Sequence, residues 1–283
     1  MRLRLSIFTV VAGFAVLAGP GWLRAQRVAG DSSLAASAAR PAAAFSRVEA
    51  RRFAGVLGLG ALAYSIDESA RRRVVGVDGA SGDVGAALAD IGNFYGSPGA
   101  LTFGALMWGG GLVAKRPTLA ASGLRALEAI TISGLVTRAL KESMGRARPY
   151  VAVDGRADWQ LFRGARSSTG EYESFASGHA TAAFAFAAAV TGEVALRAPE
   201  HARAVGVVTF GLAGLTAYAR MHDDVHWLSD VTVGAGIGTV TALAIRRWHA
   251  TRPDNAIDRW LLRPVIAPSP FGGTRVGLEI LTR

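Results

Sequence analysis

The stretch Arg220-Met221-His222-Asp223-Asp224-Val225-His226-Trp227-Leu228-Ser229-Asp230 crowds an arginine, two histidines and three carboxylates between two uncharged runs, Ala204 to Ala219 and Val231 to Ile245. Burying a charge without a partner is costly, so such crowding at the mouth of two apolar helices needs a reason. His226 and Asp230 stand four apart and share one face of a helix. A carboxylate placed there holds an imidazole in one tautomer and leaves the other ring nitrogen free to attack. Arg220, just upstream, offers a planar fork for a phosphate. A purely structural alternative is helix capping, with Ser229 or Asp230 as N-cap and Arg220 as partner of a helix C-terminus.

Two further segments weigh against capping alone. Lys141-Glu142-Ser143-Met144-Gly145-Arg146-Ala147-Arg148-Pro149 ends an apolar helix with fixed cations. Ala176-Ser177-Gly178-His179 opens another helix, whose orphan N–H groups and dipole favour an anion. A phosphoryl group in transit needs positive charge around its equatorial oxygens. Lys141, Arg148 and Arg220 supply it, with Ser177 and the amides of Gly178 and His179.

Together the three segments resemble the signature motifs of the type 2 phosphatidic acid phosphatase superfamily. Its pattern is a lysine, six residues and Arg-Pro; then Pro-Ser-Gly-His; then Ser-Arg, five residues, a histidine, three residues and an aspartate. The first is complete here in Lys141, Arg148 and Pro149. Ala176 replaces the proline of the second, and Ala219 the serine of the third, with Arg220, His226 and Asp230 in register. The resemblance implies an all-α fold, a six-helix bundle whose motifs meet at one end. It also implies metal-independent phosphate transfer with no cofactor. His226 is the nucleophile, oriented by Asp230, and His179 is the acid and then the base. Lys141, Arg148, Ser177, Gly178 and Arg220 bind phosphate. Within the same resemblance stand a lipid phosphate or pyrophosphate hydrolase, a secreted acid phosphatase for soluble phosphomonoesters and a vanadate-dependent haloperoxidase. A non-catalytic lipid-binding membrane protein is the alternative of a different class. His222, Asp223 and Asp224 could be read as a metal cluster, but His222 and His226 with Asp223 lack a third convincing ligand at helical spacing. Arg146, between two motif residues, reads as a solvated charge.

The elements that must position these groups come from an apolar, charge-poor chain. Of 283 residues, 51% are hydrophobic and 18% charged, and the mean hydropathy is +0.29. There is no cysteine, which excludes disulfides, thiolate metal sites and cysteine nucleophiles. The net charge of +10 suits an anionic partner. No helix-turn-helix pattern or interleaved aromatic and basic stripe points to nucleic acid. Residues 1–25 read as a signal peptide or N-terminal anchor, with a basic start at Arg2 and Arg4 and an apolar run from Leu5 to Leu17. Residues 26–50 form an Ala/Ser-rich linker in which Ser46 caps the first helix. Residues 51–250 are the bundle and 251–283 a tail expected to hold a β-hairpin.

Within the bundle, Phe53 to Ile66 is too short to span a bilayer, and Asp67 to Arg73 is a charged exit. Val74 to Gly99 reads as a loop holding a short helix near Val84 to Gly92, then a turn at Gly96-Ser97-Pro98-Gly99. Ala100–Ala114, Ser122–Lys141, Gly178–Val194, Ala204–Ala219 and Ser229–Arg246 follow as helices. The glycines Gly234, Gly236 and Gly238 read as a packing ridge, and the loop from Tyr150 to Ser174 as long enough to serve as a lid. If the leader exports the N-terminus and these five helices cross a membrane while Phe53 to Ile66 does not, Lys115-Arg116, Arg197 to Arg203 and Arg246-Arg247 fall on the inner side and the motifs outside; a spanning Phe53 to Ile66 would flip the motifs to the cytoplasm. A soluble periplasmic bundle is the competing arrangement. Both place the site in a bacterial-type cell envelope. The oligomeric state is left open.

Overall fold

A computed structural model of the chain describes residues 46–75, 82–152 and 158–262, and the backbone of two strands beyond them. The expected leader and most of the linker lie outside the described residues. The fold is helical, as the sequence leads one to expect. Nine α-helices appear among the described residues where a bundle of six is expected: α1 Arg47–Tyr64, α2 Asp67–Val75, α3 Gly82–Phe94, α4 Ala100–Val113, α5 Pro117–Met144, α6 Gly178–Arg197, α7 Ala202–His222, α8 Leu228–Ala250 and α9 Ala256–Leu262. The three beyond the six, α2, α3 and α9, are short. Of these, α3 is the short helix expected near residues 84–92, extended at both ends. Isolated helices of that length are marginal, so packing against neighbours decides them, which periodicity alone does not report.

Local chemistry sets several boundaries. Ser46 caps α1 as expected: its hydroxyl accepts from Val48 N at 3.2 Å, and its own amide donates to Glu49 at 3.1 Å. The buried Glu49 then pairs with Arg247 of α8 at 2.9 Å and fastens the first helix to the last long one. The turn expected at 96–99 is a wider helical turn, Tyr95–Gly99, that runs from α3 straight into α4. Pro117 starts α5, where its missing N–H would be unpaired anyway. Gly145 ends α5 at φ 55°, and a side chain there would collide with the carbonyl of Gln160. The expected hairpin is present as β1 Pro264–Pro268 and β2 Thr274–Leu278, antiparallel with Ile266 opposite Val276.

The core is built around α6, which packs against α5, α7 and α8. Its residues Ala180, Ala183, Ala185, Ala187 and Ala188 are buried. Such small side chains let three helices close in on one axis, and dispersion contacts then hold them together. The glycine ridge of α8 works the same way. A methyl group at Gly238 would overlap the carbonyl of Thr181 on α6. Gly236 instead faces Val56 of α1.

Four helical segments are long and apolar enough to cross a membrane: Pro117–Met144, Gly178–Arg197, Pro199–His222 and Leu228–Ala250. Large apolar side chains also point outward along the bundle, among them Leu106 on α4, Leu135 on α5 and Val207 on α7. The bundle therefore has an apolar outside as well as an apolar inside.

Candidate active site

Four helix ends meet at one end of the bundle: the C-termini of α5 and α7 and the N-termini of α6 and α8. Backbone bonds stitch them together. Ser177 N donates to the Asp230 carbonyl at 3.1 Å, joining the starts of α6 and α8. The amides of Val225 and His226 donate to the Arg220 carbonyl at 3.3 and 3.2 Å, folding the α7–α8 turn tightly. The indole N–H of Trp227 reaches the Ala147 carbonyl at 3.0 Å and ties that turn to the segment after α5.

Two of the three cations are held by the long loop. Lys141 Nζ donates to the Glu173 carbonyl. Arg148 Nε donates to the Gly170 carbonyl at 2.9 Å, while its backbone N–H bonds Glu171 O at 2.8 Å. Arg220 Nη1 donates to Asn93 Oδ1 at 2.5 Å and lies 3.5 Å from Asp223. Asn93 completes the brace by donating to Asp223 at 2.8 Å. Ser177 is the N-cap of α6, and its hydroxyl accepts from Ala180 N at 3.4 Å. The backbone of Gly178 lies beside the Lys141 side chain, whose Cε would stand 3.9 Å from a Cβ placed there, an ordinary contact distance. His179 packs against the backbone of Gly96 in the wide turn, and the charges of Arg220, Lys141 and Arg148 all act on its ring.

His226 is only 4% exposed, and its Nδ1 has no hydrogen-bond partner among the described residues. Burial holds its imidazole far below the ordinary range, at about 3. The carboxylate of Asp230 pulls the value up, and Lys141 and Arg148 push it down. The ring is therefore neutral at physiological pH, the form with a lone pair to give. Asp230 is fully buried and engaged on all sides. It accepts from Arg146 Nη1 at 2.5 Å, Ser174 Oγ at 2.5 Å and Trp227 N at 2.9 Å.

All eight residues expected from the sequence gather here. The reading of Arg146 needs correction: it is 0% exposed and no solvated charge. One guanidinium nitrogen serves Asp230 and Ser229, the other Asp67 at 2.7 Å. The rings of Trp159, Tyr64 and Trp227 surround it, with centroids at 4.8, 5.2 and 5.3 Å. Asp67, expected in a charged exit, is buried as well. Burial raises the pKa of its carboxyl, with Arg146 opposing that shift. Asn93 joins the site without any signal in the sequence. These partners are 79, 84 and 127 positions apart in the chain, so no local spacing announces them. Of the residues read as a possible metal cluster, Asp224 is drawn away from the other two. Asp224 pairs bidentately with Arg71 at 2.7 and 2.6 Å, while Asp223 serves Asn93 and the ring of His222.

Residues 122–254 match the model of the PAP2 superfamily. No curated protein sequence matches the chain. Among solved structures, the fold is similar to a transmembrane PAP2-type phosphatidylglycerolphosphate phosphatase from Bacillus subtilis, with TM-score 0.54 and 21% identity over 70% of this chain and 94% of that one. The matched segment 122–254 carries all eight gathered residues.

Proposed function

We propose that the protein is a metal-independent phosphohydrolase of the cell envelope that removes phosphate from a lipid phosphate or pyrophosphate through a phosphohistidine. The observation that carries this reading is the convergence of Lys141, Arg148 and Arg220 on two helix N-termini beside a buried, neutral His226. Fixed cations and oriented amides stabilise a phosphoryl group in transit without reorganising during the reaction.

In the first half-reaction the free ring nitrogen of His226 forms a bond to phosphorus as the bond to the leaving oxygen breaks. His179 gives that oxygen its proton. In the second, His179 takes a proton from water, whose oxygen attacks phosphorus, and the N–P bond breaks to release phosphate. Asp230 steadies the positive charge that His226 carries in between. Four helices of membrane-crossing length, and apolar side chains facing outward, support a lipid substrate that enters from the bilayer. The similar Bacillus subtilis protein, a transmembrane phosphatidylglycerolphosphate phosphatase, points the same way. An outward-facing cup follows if Lys115-Arg116 and Arg246-Arg247, at the opposite end of the bundle, lie on the inner side.

The test is phosphate release by the detergent-purified full chain from phosphatidylglycerol phosphate, phosphatidic acid, a prenyl pyrophosphate and a soluble phosphomonoester, with and without a chelator. Release from a lipid substrate that persists in chelator supports the reading. Preference for the soluble ester makes the chain an acid phosphatase, and no release from any of them overturns the proposal.

A further inference from the structure

The buried cluster behind His226 holds two carboxylates and one guanidinium. Arg146 Nη1 binds Asp230 and Nη2 binds Asp67, at 2.5 and 2.7 Å. Ser229 closes the ring: its hydroxyl accepts from Arg146 and donates to Asp67 at 2.6 Å, and its amide donates to the other Asp67 oxygen at 2.8 Å. Both Asp67 oxygens thus only accept, as an ionised carboxylate does. Asp67 sits at the start of α2, outside the segment 122–254 that matches the family.

With Asp230 alone, Arg146 would form a neutral pair. Asp230 would then offer little charge to an imidazole turning into a cation. With Asp67 present the three groups carry one net negative charge. We propose that Asp67 is a positioning residue for turnover: by sharing the guanidinium of Arg146, it leaves the Asp230 carboxylate the charge that stabilises His226 when its other nitrogen bonds phosphorus. The inference rests on the phosphohistidine reading above and deepens it. Charge balance in a buried cluster is strongly felt because little solvent screens it. Lys141 lies close enough to act on Asp230 too, which makes a second negative charge more useful still.

The test is Asp67→Asn in the full chain, which keeps the shape and removes the charge. The expected result is a kcat lower by about thirty- to a hundredfold, with KM and inhibition by inorganic phosphate within about threefold of the parent. Asp67→Glu, which restores the charge, recovers a large part of the loss. A purely structural Asp67 would instead weaken phosphate binding, thermal stability and kcat together, and that result overturns the proposal, as does an Asn variant within about threefold of parental kcat. If Asp67→Asn does not fold, Asp67→Glu decides: kcat and phosphate affinity both close to the parent support the inference, and a kcat reduced as far as the charge-free variant was expected to be overturns it. A second readout needs no turnover. With inorganic phosphate bound, the Nδ1–H proton of His226 resonates further downfield in the parent than in Asp67→Asn. Identical resonances overturn the charge-sharing role even if the parent releases no phosphate, a failure that would instead count against the proposed reaction.

Discussion

Nδ1 of His226 stops 3.7 Å short of Oδ2 of Asp230, beyond hydrogen-bonding range, while both carboxylate oxygens are already occupied by Arg146, Ser174 and the amide of Trp227. The pair is poised and not yet engaged. A positive charge developing on the ring would draw the two together, so the contact is stronger in the transition state than at rest, which is the kind of contact that accelerates a reaction.

That relationship makes His226 the first residue to remove. His226→Ala is expected to lower phosphate release by at least about a thousandfold, with the thermal unfolding midpoint close to that of the parent. Turnover near the parental rate would end its assignment as nucleophile.

The low proton affinity of His226 has a sign that can be checked. Its folded value of about 3 lies below the ordinary imidazole value of 6.5, so protons prefer the unfolded chain between these limits. The stability it contributes is fully present above the unfolded value and is lost as pH falls through that window. Between pH 6.5 and 5 the loss is about 2 kcal/mol. Urea unfolding should therefore weaken more steeply with acid in the parent than in His226→Gln. Equal slopes would contradict the buried, neutral ring.

Arg146 faces two carboxylates in a site without solvent. Arg146→Met leaves both unpaired and is expected to destabilise the fold by roughly 3–5 kcal/mol, read as a fall in the denaturant midpoint. A loss under about 1 kcal/mol would mean that the cluster relaxes or takes up protons.

Asn93 holds the guanidinium of Arg220 from a helix distant in sequence. Asn93→Ala frees that fork to swing toward Asp223, and the affinity for inorganic phosphate is expected to drop about three- to tenfold. Isothermal titration of the parent and variant tests this, and unchanged affinity would show that Asp223 alone suffices as a brace.

The ridge on α8 offers a packing test remote from the chemistry. Gly238→Ala pushes a methyl group into the backbone of α6 and is expected to lower stability by about 1–3 kcal/mol. An unchanged unfolding midpoint would mean that the helices separate at no cost.

How much of this can be read from the sequence follows from distance along the chain. His226 and Asp230 share a helix face, Lys141 and Arg148 flank one helix end, and Ser177 opens another. Short spacings of this kind survive folding unchanged, and their motif order carries the resemblance to the superfamily. Arg146, Asp67 and Asn93 give no such sign. Arg146 reads as solvated because a charge near Gly145 usually is, and only the arrival of α1, the 158–175 loop and Trp227 encloses it in aromatic rings. The helix α3 reads as a short stretch inside a loop because its Gly and Asp residues depress helix propensity, while contact with α7 supplies what propensity lacks and lengthens it.

The brace of Arg220 and the counter-charge of Arg146 both come from helices that precede residue 122. An excised fragment beginning at the family boundary would keep every motif yet lose Asn93 and Asp67. For anyone trimming this protein for expression or grafting its chemistry onto another scaffold, the smallest useful unit starts at the serine that caps α1 and not where sequence similarity begins.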